Sequence, residues 1–486
     1  MNLHIAVAKG DGIGPEIMDA VLKIFDAAKV PLIYEFVEMG KEVFLAGNST
    51  GMTSDARATI EKLGILFKGP METPKGKGMK SINVTARKVW NTYANNRVFR
   101  SLHGVNTVFS KAGIPINLTI VRENIEDTYG GIEHKLTDDV ALCRRFITRP
   151  GSRQVHEYAF ETARKRGIKK VTCGHKANIM KLTDGMFLET FYEVAKNYPE
   201  IEVNDVIVDD LAMKLVAKPE LFEIVVLPNL QGDIISDLCA GLVGGLGFAP
   251  SANIGDNISI FEAVHGTAPD IAGQLKANPT ALLLSGIMML QHLGLTEEGA
   301  LIQNALLYTL EQGIHTADFG EKNTPSVNTS EFADAIISNL GKLPSNQAPV
   351  TAIPSKLTHT PPKTLSENKM MVTHPLPNAQ INGADFFIES EEQPLLVGKT
   401  FESFIGEGYK LSTISNRGTQ VYPTGSIYTE CINQYRVRIE NNSPKTLSQK
   451  DILHLSSLVA DKYKICSIEM LMKYNDVEGY SLAQGQ

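Results

Sequence analysis

Cysteine is scarce in this chain and scattered where it occurs. The 486 residues contain five, at Cys143, Cys173, Cys239, Cys431 and Cys466, an odd number with no Cys-x-x-Cys spacing. That pattern excludes a disulfide framework and points to a reducing compartment. No apolar run is long enough to span a bilayer, so no membrane partner is expected. Neither end shows a basic or apolar targeting segment, which makes the cytoplasm the default. Excess positive charge is also missing. The formal net charge of −7 argues against a nucleic-acid binder held by bulk electrostatics. Internal repeats are absent. What remains is a globular composition in a chain long enough for more than one domain.

Short apolar strands alternate with helical patterns from the N-terminus to about Leu343. Strands are expected at 3–8, 168–173, 205–209 and 223–227. Helices are expected at 16–28, started by Pro15 in the first turn, and at 157–166 and 279–292. Such alternation predicts an α/β architecture with helices packed on a sheet. The character then changes. Residues 343–377 are rich in Pro, Ser, Thr, Asn and Lys without hydrophobic period, and read as a linker. Beyond it, strands at 384–388, 410–414 and 435–439 and helices at 397–405 and 448–463, the last capped by Ser448, suit a ferredoxin-like α+β unit.

Asn229-Leu-Gln-Gly-Asp233-Ile-Ile-Ser-Asp237 follows the strand-like run Glu223–Pro228. If Gly232 opens a helix, Asp233 and Asp237 share one face a turn apart. Two like charges so placed suit a divalent cation with hard oxygen ligands. Two solvated acids welcomed by a helix dipole explain the pair equally well. Gly10-Asp-Gly-Ile-Gly-Pro-Glu16 joins the first strand to the first helix. It suits an anion or dinucleotide, although a plain tight turn is the simpler reading.

Ser81-Ile-Asn83-Val-Thr-Ala-Arg87 follows a Gly/Lys-rich loop, with Arg97 and Arg122 beyond. Three arginines in polar segments suit a small polycarboxylate, because guanidinium grips carboxylate bidentately. Any one of them could instead form a surface ion pair. His175-Lys176-Ala-Asn178 follows a strand. A lysine there, beside acids, suits a base, though most lysines are simply solvated. His265-Gly-Thr-Ala-Pro-Asp270-Ile-Ala-Gly273, with Asn278 beyond, is a loop of small residues. It permits close approach to a planar or phosphate-bearing ligand, or a capped structural histidine.

Together these segments resemble, in order over about residues 1–345, the β-decarboxylating dehydrogenases acting on isocitrate, 3-isopropylmalate, homoisocitrate and tartrate or malate. Gln231 stands where that family more often has Asn or Tyr. Ser81 and Asn83 look like the isocitrate-specific pattern, where isopropylmalate enzymes place apolar residues. The resemblance implies an isopropylmalate-dehydrogenase-like fold of two domains on a shared central sheet. Residues 1–93 and 245–343 would form the large, cofactor-binding domain and 94–244 the small domain, with 344–379 a linker. Residues 380–486 resemble an extension found on a minority of bacterial isocitrate dehydrogenases, which points to a bacterial or bacterially derived source.

The same resemblance implies the roles. Ser81, Asn83, Arg87, Arg97, Arg122 and Asn178 would bind isocitrate. Tyr129 and Lys176 would serve acid/base steps. Asp209 of the neighbouring subunit would join Asp233 and Asp237 around Mg²⁺ or Mn²⁺, in a homodimer whose active sites are shared. Thr73, His265, Gly266, Asp270, Ile271 and Asn278 would contact the dinucleotide. NADP enzymes of this family typically place Lys-Tyr where this chain has Asp270-Ile271, and a Tyr and an Arg where it has Ala317 and Glu321. NAD is therefore expected over NADP, since a carboxylate accepts ribose hydroxyls and repels a phosphate. Isocitrate, homoisocitrate and a non-catalytic subunit of the same fold are the competing readings. The presence of Tyr129, Lys176, Asp209, Asp233 and Asp237 favours catalysis.

Overall fold

A computed structural model describes residues 2–72, 81–320, 324–352, 371 and 378–482. The first strand, Leu3–Ala8, is apolar and buried over its last four residues. It feeds the helix Gly14–Ala27, with Pro15 in the first turn, where a missing N–H costs nothing. The turn between them uses Gly10 and Gly12 at φ of 79° and 59°. A Cβ at Gly12 would run into the Thr267 carbonyl, so this turn is a packing device against the 265–269 loop.

Ten strands form one sheet. In spatial order they are Leu32–Phe36, Leu3–Ala8, Ile65–Lys68, Ser259–Ala263, Pro250–Ile254, Ala94–Arg100, Asn117–Glu123, Ile224–Leu227, Lys170–His175 and Glu202–Ile207. The four in the middle pair antiparallel and the outer ones parallel. Residues 1–93 and 245–343 supply the strands on one side of the midline and 94–244 those on the other.

The helices Gly14–Ala27, Thr280–His292, Thr296–Glu311 and Thr329–Ser338 close one core. Within it the fully buried rings of Phe25 and Phe67 stack at 6.1 Å. Burying each contributes about 1.5–3 kcal/mol. A second core forms under Arg149–Arg166 and Thr183–Ala195, where Phe160 stacks on Tyr198 at 5.0 Å. No helix among the described residues is long and apolar enough to cross a membrane.

Several expected bounds shift: the helix expected at 157–166 begins earlier, as Arg149–Arg166, and the strand expected at 168–173 runs Lys170–His175. The stretch 205–209 is not all strand. The strand Glu202–Ile207 ends first, and Asp209 falls in the opening turn of the helix Val208–Ala217, where an acid favours helix. The metal-candidate helix runs Asn229–Leu242, starting before Gly232, with Asp233 and Asp237 still one turn apart.

The chain divides into two compact units. One comprises Met1–Tyr129, Ile147–Asn178 and Asp184–Met370, and the other Gly130–Phe146, Ile179–Thr183 and Met371–Gln486. Most of the expected linker, 353–370 and 372–377, lies outside the described residues. In the second unit a six-stranded antiparallel sheet carries the helices Pro394–Phe404 and Gln449–Ala460 over a core of Phe386, Ile388, Val437, Ile439, Phe401 and Leu455. Ser448 caps the second helix through a reciprocal bond pair with Asp451. The strands Thr419–Tyr422, Lys464–Tyr474 and Val477–Glu478 extend the expected β-α-β-β-α order. Asp385 is held by Arg436 at 2.9 Å and by Arg438 at 2.8 and 2.9 Å. Arg438 is itself fully buried beside the Tyr480 ring. The hairpin of Glu133–Lys135 and Ala141–Cys143 belongs to this unit through Thr137 on Asn433, 3.1 Å, and an Arg144–Glu469 ion pair.

Candidate active site

Two strands and one helix build the central cluster. Arg97 lies on Ala94–Arg100 and Arg122 on the adjacent Asn117–Glu123, and the Asn229–Leu242 helix packs against the latter. Gly232 lets that helix approach, since a Cβ there would press on the Arg122 side chain. Arg122 is buried. Its Nε donates to Asn229 O and Oδ1, both at 3.0 Å, and its Nη1 donates to Asp233 Oδ1 at 2.5 Å. The Tyr129 hydroxyl donates to Asp233 Oδ2 at 2.6 Å, and the ring lies 4.8 Å from the guanidinium. Arg97 donates to Asn95 Oδ1 and Ser236 Oγ, both at 2.6 Å. It stands 3.5 Å from Asp233 and 3.7 Å from Asp237.

The charges are mutually tuned. Burial, then repulsion from Arg122, lowers the Arg97 pKa to about 9, against the pull of Asp233. Burial works to raise Asp233, but Arg122, Arg97 and the Tyr129 hydroxyl outweigh it and hold the carboxyl below its usual range. Asp237 goes up, through burial and the neighbouring Asp233. Burial also raises Tyr129, keeping the phenol protonated.

Next to this cluster is a cavity of about 570 Å³ lined by Asn83, Arg87, Arg97, Glu262 and His265 among others. Arg87 Nη2 meets Glu262 at 3.2 Å. Arg87 Nε, Arg122 Nη2, Asn83 Oδ1 and His265 Nε2 are buried without a protein partner. Such orphaned groups are costly unless a ligand satisfies them. Ser81 caps the helix Ile82–Val89, accepting from Val84 N at 3.4 Å.

Sequence reading missed three residues here, Lys68, Asn253 and Glu262. Lys68 is buried and meets Glu262 at 2.5 Å, and Asn253 donates to the same acid at 2.8 Å. Burial would raise the Glu262 carboxyl, but Lys68 and Arg87 draw it down to about 2. The available signal was a charge inside each of two apolar strands, Ile65–Lys68 and Ser259–Ala263, which implies a buried partner.

Lys176 and Asp209 pair with each other, and their bonds do not reach this cluster. Asn178 is exposed. One chain therefore assembles two of the three expected metal acids. Among the described residues no group of three metal-ligating side chains forms. Asp233 and Asp237 fit a hard cation as part of a donor set: both are oxygen donors, and among the described residues Asp237 has a single ion pair, to Arg97 at 3.7 Å.

On the cofactor side, Gly266 and Asp270 are exposed and His265 and Ile271 partly so. Burial lowers the His265 pKa. Asn278 is committed to Thr280 N at 3.0 Å and Asp318 at 3.2 Å. Thr73 and Glu321 lie outside the described residues.

A family model described as isocitrate/isopropylmalate dehydrogenase matches residues 4–336, and one described as bacterial isocitrate dehydrogenase, C-terminal domain, matches 379–486. The chain belongs to the isocitrate/isopropylmalate dehydrogenase family. It is 44% identical over 99% of its length to a Thermus thermophilus protein named isocitrate dehydrogenase [NADP], covering 96% of that relative. It is 38% identical to a Rickettsia bellii protein of the same name, over 99% of both chains. A crystal structure from Thermus thermophilus superposes with a TM-score of 0.90 at 43% identity, over 99% of this chain and 96% of that one. Within the family, the fold is thus the α/β dehydrogenase fold with an appended antiparallel-sheet domain.

These relatives overturn the expected preference for NAD. The full-length matches from Thermus thermophilus and five Rickettsia species are all named NADP enzymes. The geometry explains the error. Asp270 sits in the short turn Pro269–Ile271, exposed, and its carboxylate has no side-chain partner among the described residues. Water and salt screen an exposed charge, so its repulsion of a phosphate is about 1 kcal/mol or less. Ala317 is likewise an exposed position that decides nothing by itself.

Proposed function

We propose that this chain catalyses the oxidative decarboxylation of isocitrate to 2-oxoglutarate and CO₂, with NADP as oxidant and Mg²⁺ or Mn²⁺ as metal, in a homodimer. The observation that carries this reading is the convergence of Arg87, Arg97 and Arg122 beside Asp233, with Arg87 Nε and Arg122 Nη2 buried and unpartnered. A tricarboxylate satisfies those donors, and guanidinium–carboxylate pairs supply both charge and orientation. Ser81 and Asn83 would hold the third carboxylate, with Asn83 lining the cavity.

Asp233 and Asp237 would hold the metal, with Asp209 from the neighbouring subunit, and His265 and Gly266 would lie along the dinucleotide. When bound, the metal would supply Lewis-acid polarisation at the C2 oxygen, and NADP would supply the hydride acceptor. Lys176, paired with Asp209, takes the C2 hydroxyl proton. Tyr129, kept protonated by burial, delivers a proton at C3 after CO₂ leaves. Because the Lys176–Asp209 pair stands apart from the arginine cluster of its own chain, a second subunit supplying that pair completes the site.

The test is NADPH and NADH formation from isocitrate, isopropylmalate and homoisocitrate with Mg²⁺. Isocitrate with NADP should give the highest kcat/KM. Faster turnover of either other substrate would refute the assignment.

A further inference from the structure

A buried carboxylate outside the reacting cluster ties two of its parts together. Asp184 begins the helix Thr183–Ala195 and is fully inaccessible. Its Oδ2 accepts the backbone N–H of Lys176 at 2.6 Å and Gln231 Nε2 at 2.9 Å. Gln231 belongs to the helix that carries Asp233 and Asp237. One oxygen therefore joins the strand-end loop of the candidate base to the helix of the candidate metal ligands.

The rest of that loop is braced from the other side. His175 accepts the Ala177 N–H through Nδ1 at 3.0 Å, which leaves Nε2 to donate to Asp205 at 2.9 Å. Tyr192 donates to the second Asp205 oxygen at 2.5 Å. With the flanking residue 177 fixed by His175, Asp184 adds a second constraint on the loop, at the Lys176 N–H itself. A buried carboxylate is an expensive way to hold a loop unless its position matters.

We propose that Asp184 is a positioning residue for the reaction. It sets the Lys176 backbone against the Asp233 helix through Gln231, and so places the lysine ammonium without touching substrate. If Lys176 serves the neighbouring subunit, the same oxygen links the metal helix of one active site to the base of the other. The proposal rests on the reading of Lys176 as base.

Three nearly isosteric variants test it. Asp184→Leu removes the acceptor of both bonds, Gln231→Leu removes only the donor on the helix of Asp233, and Asp184→Asn keeps an oxygen that can accept from both Lys176 N and Gln231 Nε2. Asp184→Leu and Gln231→Leu should each lose at least tenfold in kcat with isocitrate KM changed less than threefold, and Asp184→Asn should keep most of the wild-type kcat. A merely structural role would instead follow thermal stability, measured in parallel, and move KM with kcat. Folded Asp184→Leu and Gln231→Leu with wild-type kcat, or Asp184→Asn as impaired as Asp184→Leu, would overturn the proposal. Lys176→Ala separates the two readings. If it stays active, the base assignment fails. If it is inactive while folded Asp184→Leu is normal, only the positioning role fails.

Discussion

Tyr129 donates to the Asp233 oxygen that Arg122 leaves free, Oδ2 at 2.6 Å, so the phenol is aimed by the carboxylate expected to hold the metal. Tyr129→Phe should lower kcat by about 10²-fold or more, the usual weight of a placed general acid. Isocitrate KM should change little, because the arginines are untouched. A variant within threefold of wild-type kcat would remove Tyr129 from the proton step.

Asp233→Asn removes the charge shared by Arg97 and Arg122. Activity with Mg²⁺ should fall by orders of magnitude, and excess EDTA should abolish wild-type turnover. The fold should weaken only moderately, by roughly 1–2 kcal/mol, since the carboxylate is partly exposed and solvent takes up part of the loss. Full activity in EDTA would end the metal reading.

Asp270→Asn should change the ratio of kcat/KM for NADP over NAD by less than about threefold, because an exposed charge is screened. A tenfold change would show that this carboxylate is desolvated against the cofactor, contrary to its position in the turn.

His156 provides a pH signature. It is fully buried, bonded to Phe187 O at 2.9 Å and edge-on to the Phe187 ring, and burial lowers its pKa to about 3 from an ordinary 6.5. Below pH 6.5 the unfolded chain binds a proton that the folded one refuses, so this group erodes stability as pH falls from 6.5 toward 3. The slope approaches about 1.4 kcal/mol per pH unit. Unfolding midpoints at pH 7 and pH 5 should therefore lie closer together in a folded His156→Gln variant than in wild type. An unchanged gap would mean that the imidazole titrates normally.

Most of the site was legible because its chemistry is local. Asp233 and Asp237 are one helical turn apart in any helix, and Ser81, Asn83 and Arg87 share one short segment. What was not legible depends on distance in the chain. Glu262 finds Lys68 and Arg87 only when strands Ser259–Ala263 and Ile65–Lys68 pair. Asp184 gains its role only when the helix of Gln231 packs beside it. Gln231, where the family more often has Asn or Tyr, is the donor to a buried acid. The cofactor was misread because residue identity was taken without exposure, and exposure decides what one charge is worth. In the C-terminal unit the strands Lys464–Tyr474 and Thr419–Tyr422 mix polar and apolar residues and lack a clean alternation, so they passed as connection.

The antiparallel middle of the ten-stranded sheet bears on how this chain can be cut. Strand Ala94–Arg100 pairs with Pro250–Ile254 across the midline, and Asn95 adds side-chain bonds to Ser251 at 2.7 Å and Asn253 at 2.8 Å. Either half produced alone would carry a raw central edge, with its N–H and C=O groups unpaired and hydrophobic neighbours on both faces. Such edges recruit other chains. Separately expressed halves are therefore fragments that aggregate or need each other, and a split version of this enzyme would have to reassemble by strand addition at Asn95.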